Sequence, residues 1–272
     1  MITVGVIGVG ALGATIAGRL AAGAIPDVVL TAIAGRPGTH DRLASLASRW
    51  DCQATTEPLK LPSLGVNLVV EAAGVDAAGQ YVAPLLAAGA DVIVMSSGAL
   101  AKPGMVKELE RAAEAAHRRV YLPSGSVAGL DGLLAALEGG AVEVQLTTTK
   151  HPQALAGAPY LTESAIDLAD LDTPRVVFDG NAREAIAGFP SNVNVAITLA
   201  AAVGDFERVR VRVVADPDTA QTMHRVELAA DSGTMTVELA NRPSPANPRS
   251  SSLAALSALA TIRRHASALQ IG

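Results

Sequence analysis

The sequence predicts an α/β protein, an N-terminal Rossmann domain with a doubly wound parallel sheet followed by a smaller α+β domain with a mostly antiparallel sheet. Three observations carry that expectation. Over the first 125 residues, short Val/Ile-rich runs alternate with alanine-rich helical segments. The motif GVGALG directly follows the first such run. From about residue 140 the runs change from continuously apolar to alternating apolar and polar. Strands covered on both faces give the first pattern, and strands with one wetter face give the second.

Taken in order, ITVGVIG (2–8), DVVLTAIA (27–34), NLVVEAA (67–73), DVIVMSS (91–97) and RVYLPS (119–124) read as parallel strands. The segments around 11–23, 40–50, 76–88 and 103–117 are long enough to be the crossover helices between them. VEVQLTTT (142–149), FERVRVRVVA (206–215), HRVELAA (224–230) and GTMTVELA (233–240) alternate and form the second sheet. NAREAIAGF (181–189) and NVNVAITLAAAVG (192–204) read as helices separated by Pro190. After a loop, NRPSPANPRS, a last helical segment has no strand behind it. We therefore expect 249–272 to complete the first domain, 1–125, and 126–248 to be the catalytic, substrate and dimerisation domain.

Length and composition narrow the function. At 272 residues, two domains are the expectation. Half the residues are apolar, 3% aromatic and 17% charged, so the interior is aliphatic. A net charge of -5 and a pI near 5.5 offer nothing to a polyanion, which argues against nucleic acid and for a small-molecule partner. The single cysteine, Cys52, cannot close an internal disulfide, and no Cys/His/acidic cluster has metal-ligand spacing, so no metal is expected. MITVGVIGVG lacks the basic start of a signal peptide. No apolar run approaches the roughly 20 residues of a membrane span. A cytoplasmic protein without membrane or nucleic-acid partners is expected.

GVGALG is a G-x-G-x-x-G sequence between a strand and a helix. Gly8 allows the tight turn, Gly10 lets backbone approach a pyrophosphate, Gly13 permits close helix–strand packing, and Ala11 and Leu12 open the helix whose N-terminus faces the phosphates. The second strand ends AIAGRPG, without the acidic residue that commonly holds an adenosine ribose. Arg36 is there instead, suited to a 2′-phosphate or to stacking on adenine, or else a solvated turn residue. The cofactor is thus NAD or NADP. EAAGV, with Ala73 and Gly74, and MSSGAL, with Ser97, fall at strand C-terminal ends, where ligands bind in open α/β sheets.

A nicotinamide enzyme also needs a proton-transfer group and substrate anchors. Four histidines read as solvated: His40 before a helix, His117 in HRR, His151 in a loop after Lys150, and His265 beside two arginines. His224 differs, because alternation puts it on one face with Val226 and Leu228, opposite Met223, Arg225 and Glu227. It is either a hydrogen-bonded core histidine or a group aimed into a cleft, and an ordinary pKa near 6.5 suits acid–base work. Ser191 or Asn192 can cap the helix after FPSNVNVA, and Asn194 lies in its first turn. Lys150, ending VQLTTTK, is either a carboxylate anchor or a solvated lysine.

GVIGVGALG, LPSGSVAGLDGL, TTTKHPQAL, FDGNAREAIAGFPSNVNVA, ADPDTAQTMHRVEL and NRPSPANPRSSSLAALSA, in this order, resemble the L-aspartate dehydrogenase family. The resemblance implies a homodimer that oxidises L-aspartate reversibly with NAD(P) to iminoaspartate. That imine hydrolyses to oxaloacetate and ammonia or feeds NAD biosynthesis. Carried over by motif, the active-site histidine falls on His224, and cofactor-contacting residues fall on Asn194 and Ala128. Apart from that carry-over, we expect Lys150, the threonines around Thr148, and the helix end with Asn192 to hold the substrate carboxylates. The chain departs from the family pattern at Thr222, where asparagine is common, and at Lys150-His151-Pro152, where K-P-P is common. Two other readings stay open: a dehydrogenase or reductase of another amino acid or imine, and a non-catalytic dinucleotide-binding sensor.

Overall fold

In the computed structural model, which describes residues 1–190, 194–244 and 247–271, the chain divides into two units, Met1–Gly125 with Ala254–Gly272, and Ser126–Leu253. The first unit is built on six parallel strands in the order β3-β2-β1-β4-β5-β6: β1 (Ile2–Ile7), β2 (Val28–Ala34), β3 (Gln53–Thr55), β4 (Leu68–Glu71), β5 (Asp91–Val94) and β6 (Val120–Tyr121). The strand order reverses between β1 and β4, which creates the crevice where open α/β sheets bind ligands. Helices α1 (Ala11–Ala21), α2 (His40–Trp50), α3 (Val75–Ala87) and α4 (Met105–Ala116) connect the strands. The central strands are buried because both faces are covered, as their uninterrupted Val and Ile content requires. One aliphatic core joins Val4, Val6, Ile33, Leu68, Val70 and Ile93 to Ala258 and Ile262 of α10 (Ser252–Ala266).

The second unit carries five strands in the order β11-β10-β7-β9-β8: β7 (Val142–Lys150), β8 (Arg175–Asn181), β9 (Val209–Ala215), β10 (Thr222–Ala230) and β11 (Gly233–Asn241). Only β7 and β9 pair in parallel, so the sheet is mixed and mostly antiparallel. Along β7, β9 and β10 buried residues alternate with wetter ones. Of the helices α5 (Leu130–Glu138), α6 (Pro152–Leu155), α7 (Pro159–Glu163), α8 (Ala182–Gly188) and α9 (Asn194–Val203), α5 packs on β10, and α8 and α9 pack on β9. A reciprocal capping box, Asn181 with Glu184, starts α8 at the end of β8. Tyr160, Phe178 and Phe189 pack ring against ring in an otherwise aliphatic unit.

Several expectations need correction. β3 and β8 are additional strands. β3 is three residues long with little apolar content, and β8 is an edge strand whose end runs into the helix the sequence did show. The expected loop 241–250 contains a small antiparallel pair, β12 (Pro243–Ser244) and β13 (Asn247–Ser251), and the first unit resumes at Ala254 rather than at 249. His265 is not a solvated side chain: its Nδ1 lies 2.9 Å from the Tyr121 hydroxyl, and its Nε2 lies 3.8 Å from Asp91. His151 caps α6, its ring accepting from the Gln153 N–H.

Candidate active site

In the first unit the site is a glycine cradle at the C-terminal ends of β1 and β4. Gly8 has φ +87°, and its N–H donates to the Ala34 carbonyl at the end of β2. A Cβ on Gly8 would lie 2.6 Å from Ala73 Cα, and one on Gly13 would lie 1.8 Å from the Gly8 carbonyl oxygen. Strand, turn and helix therefore close on one another only because both positions lack a side chain. Gly10 is different, since a Cβ there meets no atom within 4 Å. It begins α1 facing open space, and the first N–H groups of a helix have no carbonyl one turn behind them. That combination fits a dinucleotide pyrophosphate.

Neighbouring loops complete the cradle. Glu71, the last residue of β4, is fully buried and accepts from the Ala73 and Gly74 N–H groups at 2.8 and 3.0 Å. Ser97 is buried at the start of a short 3-10 turn after β5. Arg36 is exposed beyond β2, while Arg42 of α2 donates to the Val9 carbonyl at 2.7 Å and so braces the glycine loop. Sequence reasoning missed Glu71 and Arg42. The available signals were an acid ending a continuously apolar run and a basic residue in the first turn after the adenosine-side strand.

In the second unit the buried face of the sheet is aliphatic along most of its length and polar at one end. His224 and Thr148 are paired across β10 and β7, 5% and 4% exposed, with Thr148 Oγ1 3.0 Å from His224 Nδ1. Lys150, two residues on from Thr148, shares its face. Burial lowers the Lys150 pKa to about 8, and burial together with the Lys150 charge lowers that of His224 to about 4. Lys150 is therefore not the solvated lysine of the open alternative. Strand alternation also leaves Thr148 alone among the three threonines on the His224 side.

Thr222 lies on that same face and pairs with Asn241 of β11. Asn241, which sequence reasoning passed over, is buried, donates to the Ser126 carbonyl at 2.9 Å and accepts from the Ser251 hydroxyl at 3.1 Å. It ties the segment bearing Ala128, an exposed residue just before α5, to the polar end of the sheet. Asn194 is the first residue of α9, exposed, its carbonyl accepting from Thr198. Ser191 and Asn192 lie outside the described residues. Among the described residues no group of three or more His, Cys, Asp or Glu side chains is placed to hold a metal ion, and no helix is long and apolar enough to cross a membrane.

These features coincide with similarity along the entire chain. Residues 131–265 match a family model for the C-terminal domain of aspartate dehydrogenase. An L-aspartate dehydrogenase of Methanosarcina barkeri is 38% identical over 272 residues, covering all of both chains. The chain belongs to the aspartate dehydrogenase family. An L-aspartate dehydrogenase of Pseudomonas aeruginosa is 40% identical over 205 residues, 75% of this chain and 76% of that one. The crystal structure of the Thermotoga maritima aspartate dehydrogenase superposes over all of both chains with a TM-score of 0.76 at 27% identity. Residues 8–123 match the NAD-binding domain model of homoserine dehydrogenase, which agrees with the glycine cradle.

Proposed function

We propose that this protein is an NAD(P)-dependent oxidoreductase that converts L-aspartate reversibly to iminoaspartate, which water takes on to oxaloacetate and ammonia. The observation that carries the reading is the Thr148–His224–Lys150 cluster, two titratable groups and a hydroxyl at the end of a buried aliphatic face, in a chain related over its full length to aspartate dehydrogenases.

Gly8, Gly10, the first turn of α1 and the 73–74 and 97 loops would hold the dinucleotide, which when bound would supply the hydride acceptor for the amino-acid Cα. The chain's own residues handle protons and carboxylates. A bound L-aspartate arrives as an ammonium, and its nitrogen lone pair is freed for C=N formation only when a proton leaves. For His224 to take that proton at Nε2, Nδ1 must carry its own hydrogen and donate it to Thr148 Oγ1, the contact the two residues make. The low pKa keeps the ring neutral at pH 7, ready to accept. Once that proton has passed on to solvent, the neutral ring can draw one from water as it adds to the imine carbon.

Lys150, cationic below its depressed pKa of about 8, supplies charge for a substrate carboxylate in a place where water screens it poorly. Asn194 and Ala128 are read as cofactor contacts on the family resemblance, and Thr148 and Asn192 are our own assignment as further substrate contacts. Arg36 suits a 2′-phosphate, so both NAD and NADP are accepted. The same resemblance supports a cytoplasmic homodimer that can supply iminoaspartate to NAD biosynthesis.

Because Thr222 departs from the family pattern on the very face that bears His224, the deciding experiment is a substrate panel. Oxidation of NADH and NADPH is followed with oxaloacetate plus ammonia and with other 2-oxo acids plus ammonia. Turnover of oxaloacetate above the rest is expected. An inactive oxaloacetate beside a turning-over competitor rejects aspartate, and tight cofactor binding with no turnover supports a sensor.

A further inference from the structure

The Glu71 carboxylate is fully buried at the C-terminal end of β4, and no basic side chain is among the groups that hold it. Its Oε1 accepts from the Ala73 N–H (2.8 Å), the Gly74 N–H (3.0 Å) and the Ser96 hydroxyl (3.0 Å), and its Oε2 accepts from the Ser96 N–H (3.2 Å). Three of those four donors are main-chain amides from two separate loops, one after β4 and one after β5. Burial pushes the carboxyl pKa up while the four hydrogen bonds oppose that rise. Burying a carboxylate is expensive, and an aliphatic side chain would fill the space more cheaply. An aliphatic replacement would leave the amides of the 73–74 turn without an acceptor, and a buried unsatisfied donor is itself costly.

The turn held in this way forms the wall against Gly8. A Cβ on Gly8 would meet Ala73 Cα at 2.6 Å and the Ala72 carbonyl oxygen at 2.7 Å, so the glycine loop rests directly on the backbone that Glu71 fixes. The Ala72 N–H also donates to Ile7, the last residue of β1, at 2.8 Å. Gly74, at φ +138°, begins α3 in a conformation that only glycine adopts readily, so the turn depends on its external acceptor for its shape.

We infer that Glu71 is a positioning residue for the dinucleotide, its carboxylate clamping the 72–74 turn and Ser96 so that the glycine loop is preformed before the cofactor arrives. This rests on the reading of the glycine loop as the dinucleotide site. Preorganisation of this kind appears in cofactor affinity rather than in chemistry. Glu71→Gln keeps the shape and one oxygen acceptor but turns an NH2 toward the Ser96 N–H, donor against donor. Ser96→Ala removes one hydroxyl bond and leaves the three amide donors in place.

The test is titration of wild type, Glu71→Gln and Ser96→Ala with NADH and NADPH by nucleotide fluorescence. It is joined to thermal melts and to steady-state kinetics at saturating cofactor. The expected result is a cofactor Kd raised at least tenfold in Glu71→Gln and about two- to threefold in Ser96→Ala. The KM for the amino acid and the kcat at saturating cofactor should stay near wild type. A lower Tm with wild-type cofactor Kd in Glu71→Gln would overturn the inference and leave Glu71 a packing residue. Should Glu71→Gln not fold, an unchanged Kd in Ser96→Ala would overturn it instead. A wild-type protein that binds neither nucleotide would overturn the dinucleotide reading itself and, with it, this inference.

Discussion

Thr148 and His224 stand directly opposite one another in the antiparallel pairing of β7 with β10, hydroxyl oxygen to ring nitrogen at 3.0 Å, both buried. A side-chain bond across one rung of a sheet fixes the imidazole's orientation, since neither strand can shift without breaking the ladder. Thr148→Val removes the hydroxyl at nearly constant volume and frees the ring. A loss of about 10- to 100-fold in kcat/KM is expected, because small misplacements of a reacting group cost that much. Thr148→Ser restores the hydroxyl and should retain most of the activity. Steady-state kinetics of the two variants against wild type provide the check, and equal loss in both would remove Thr148 from the mechanism.

His224→Ala should lower turnover by about 10²- to 10⁴-fold, the usual contribution of a positioned acid–base group. Because His224 belongs to the second unit and the glycine cradle to the first, cofactor affinity measured by fluorescence should stay close to wild type. Normal specific activity in the folded fraction, with only the melting temperature lowered, would make His224 a core histidine.

The depressed pKa of His224 has consequences for stability as well as for rate. Burial, and then the Lys150 charge, take it from an ordinary 6.5 to about 4. Between those two values the unfolded chain binds a proton that the folded chain refuses, so stability at His224 is full above pH 6.5 and is lost as the pH falls toward 4. Lys150→Met removes the charge contribution. The His224 titration, followed by NMR of the imidazole protons, should therefore move to higher pH than in wild type, and the acid-side loss of stability in chemical denaturation should become shallower. An unmoved titration would mean that the two side chains do not sense one another.

Much of this was legible in the sequence, for identifiable reasons. The Rossmann half announces itself through continuous apolar runs, and the glycine spacing is dictated by contacts as short as the 1.8 Å that a Gly13 Cβ would make. His224 could be assigned to the covered face because alternation holds throughout β10. Long-range partners were not legible. Nothing local in NRPSPANPRS says that Asn241 reaches the Ser126 carbonyl, and nothing in EAAGV says that Glu71 accepts from Ser96 across two strands. Lys150 stayed ambiguous because burial belongs to the fold and not to the residue. β3 was missed because three residues give no pattern, and β8 because its last residue, Asn181, opens the segment NAREAIAGF, which reads as a helix.

Gly10 and Gly13 separate binding from folding. An alanine at Gly10 meets no atom within 4 Å, and the position has φ -69°, which any residue adopts. Gly10→Ala should therefore lose no more than about 1 kcal/mol, the difference between glycine and alanine at a helix N-cap, and melt only slightly below wild type. Its methyl group nevertheless occupies the space through which a pyrophosphate would approach the backbone, so the Kd for NADH should rise at least about tenfold. Gly13→Ala drives a methyl into the Gly8 carbonyl, a backbone atom that cannot swing aside, and should cost about 1–3 kcal/mol or more in stability as well as weakening the cofactor. Melting temperature and nucleotide titration of both variants distinguish the outcomes. A Gly10→Ala protein that melts normally and also binds NADH normally would show that the pyrophosphate does not pass over this loop.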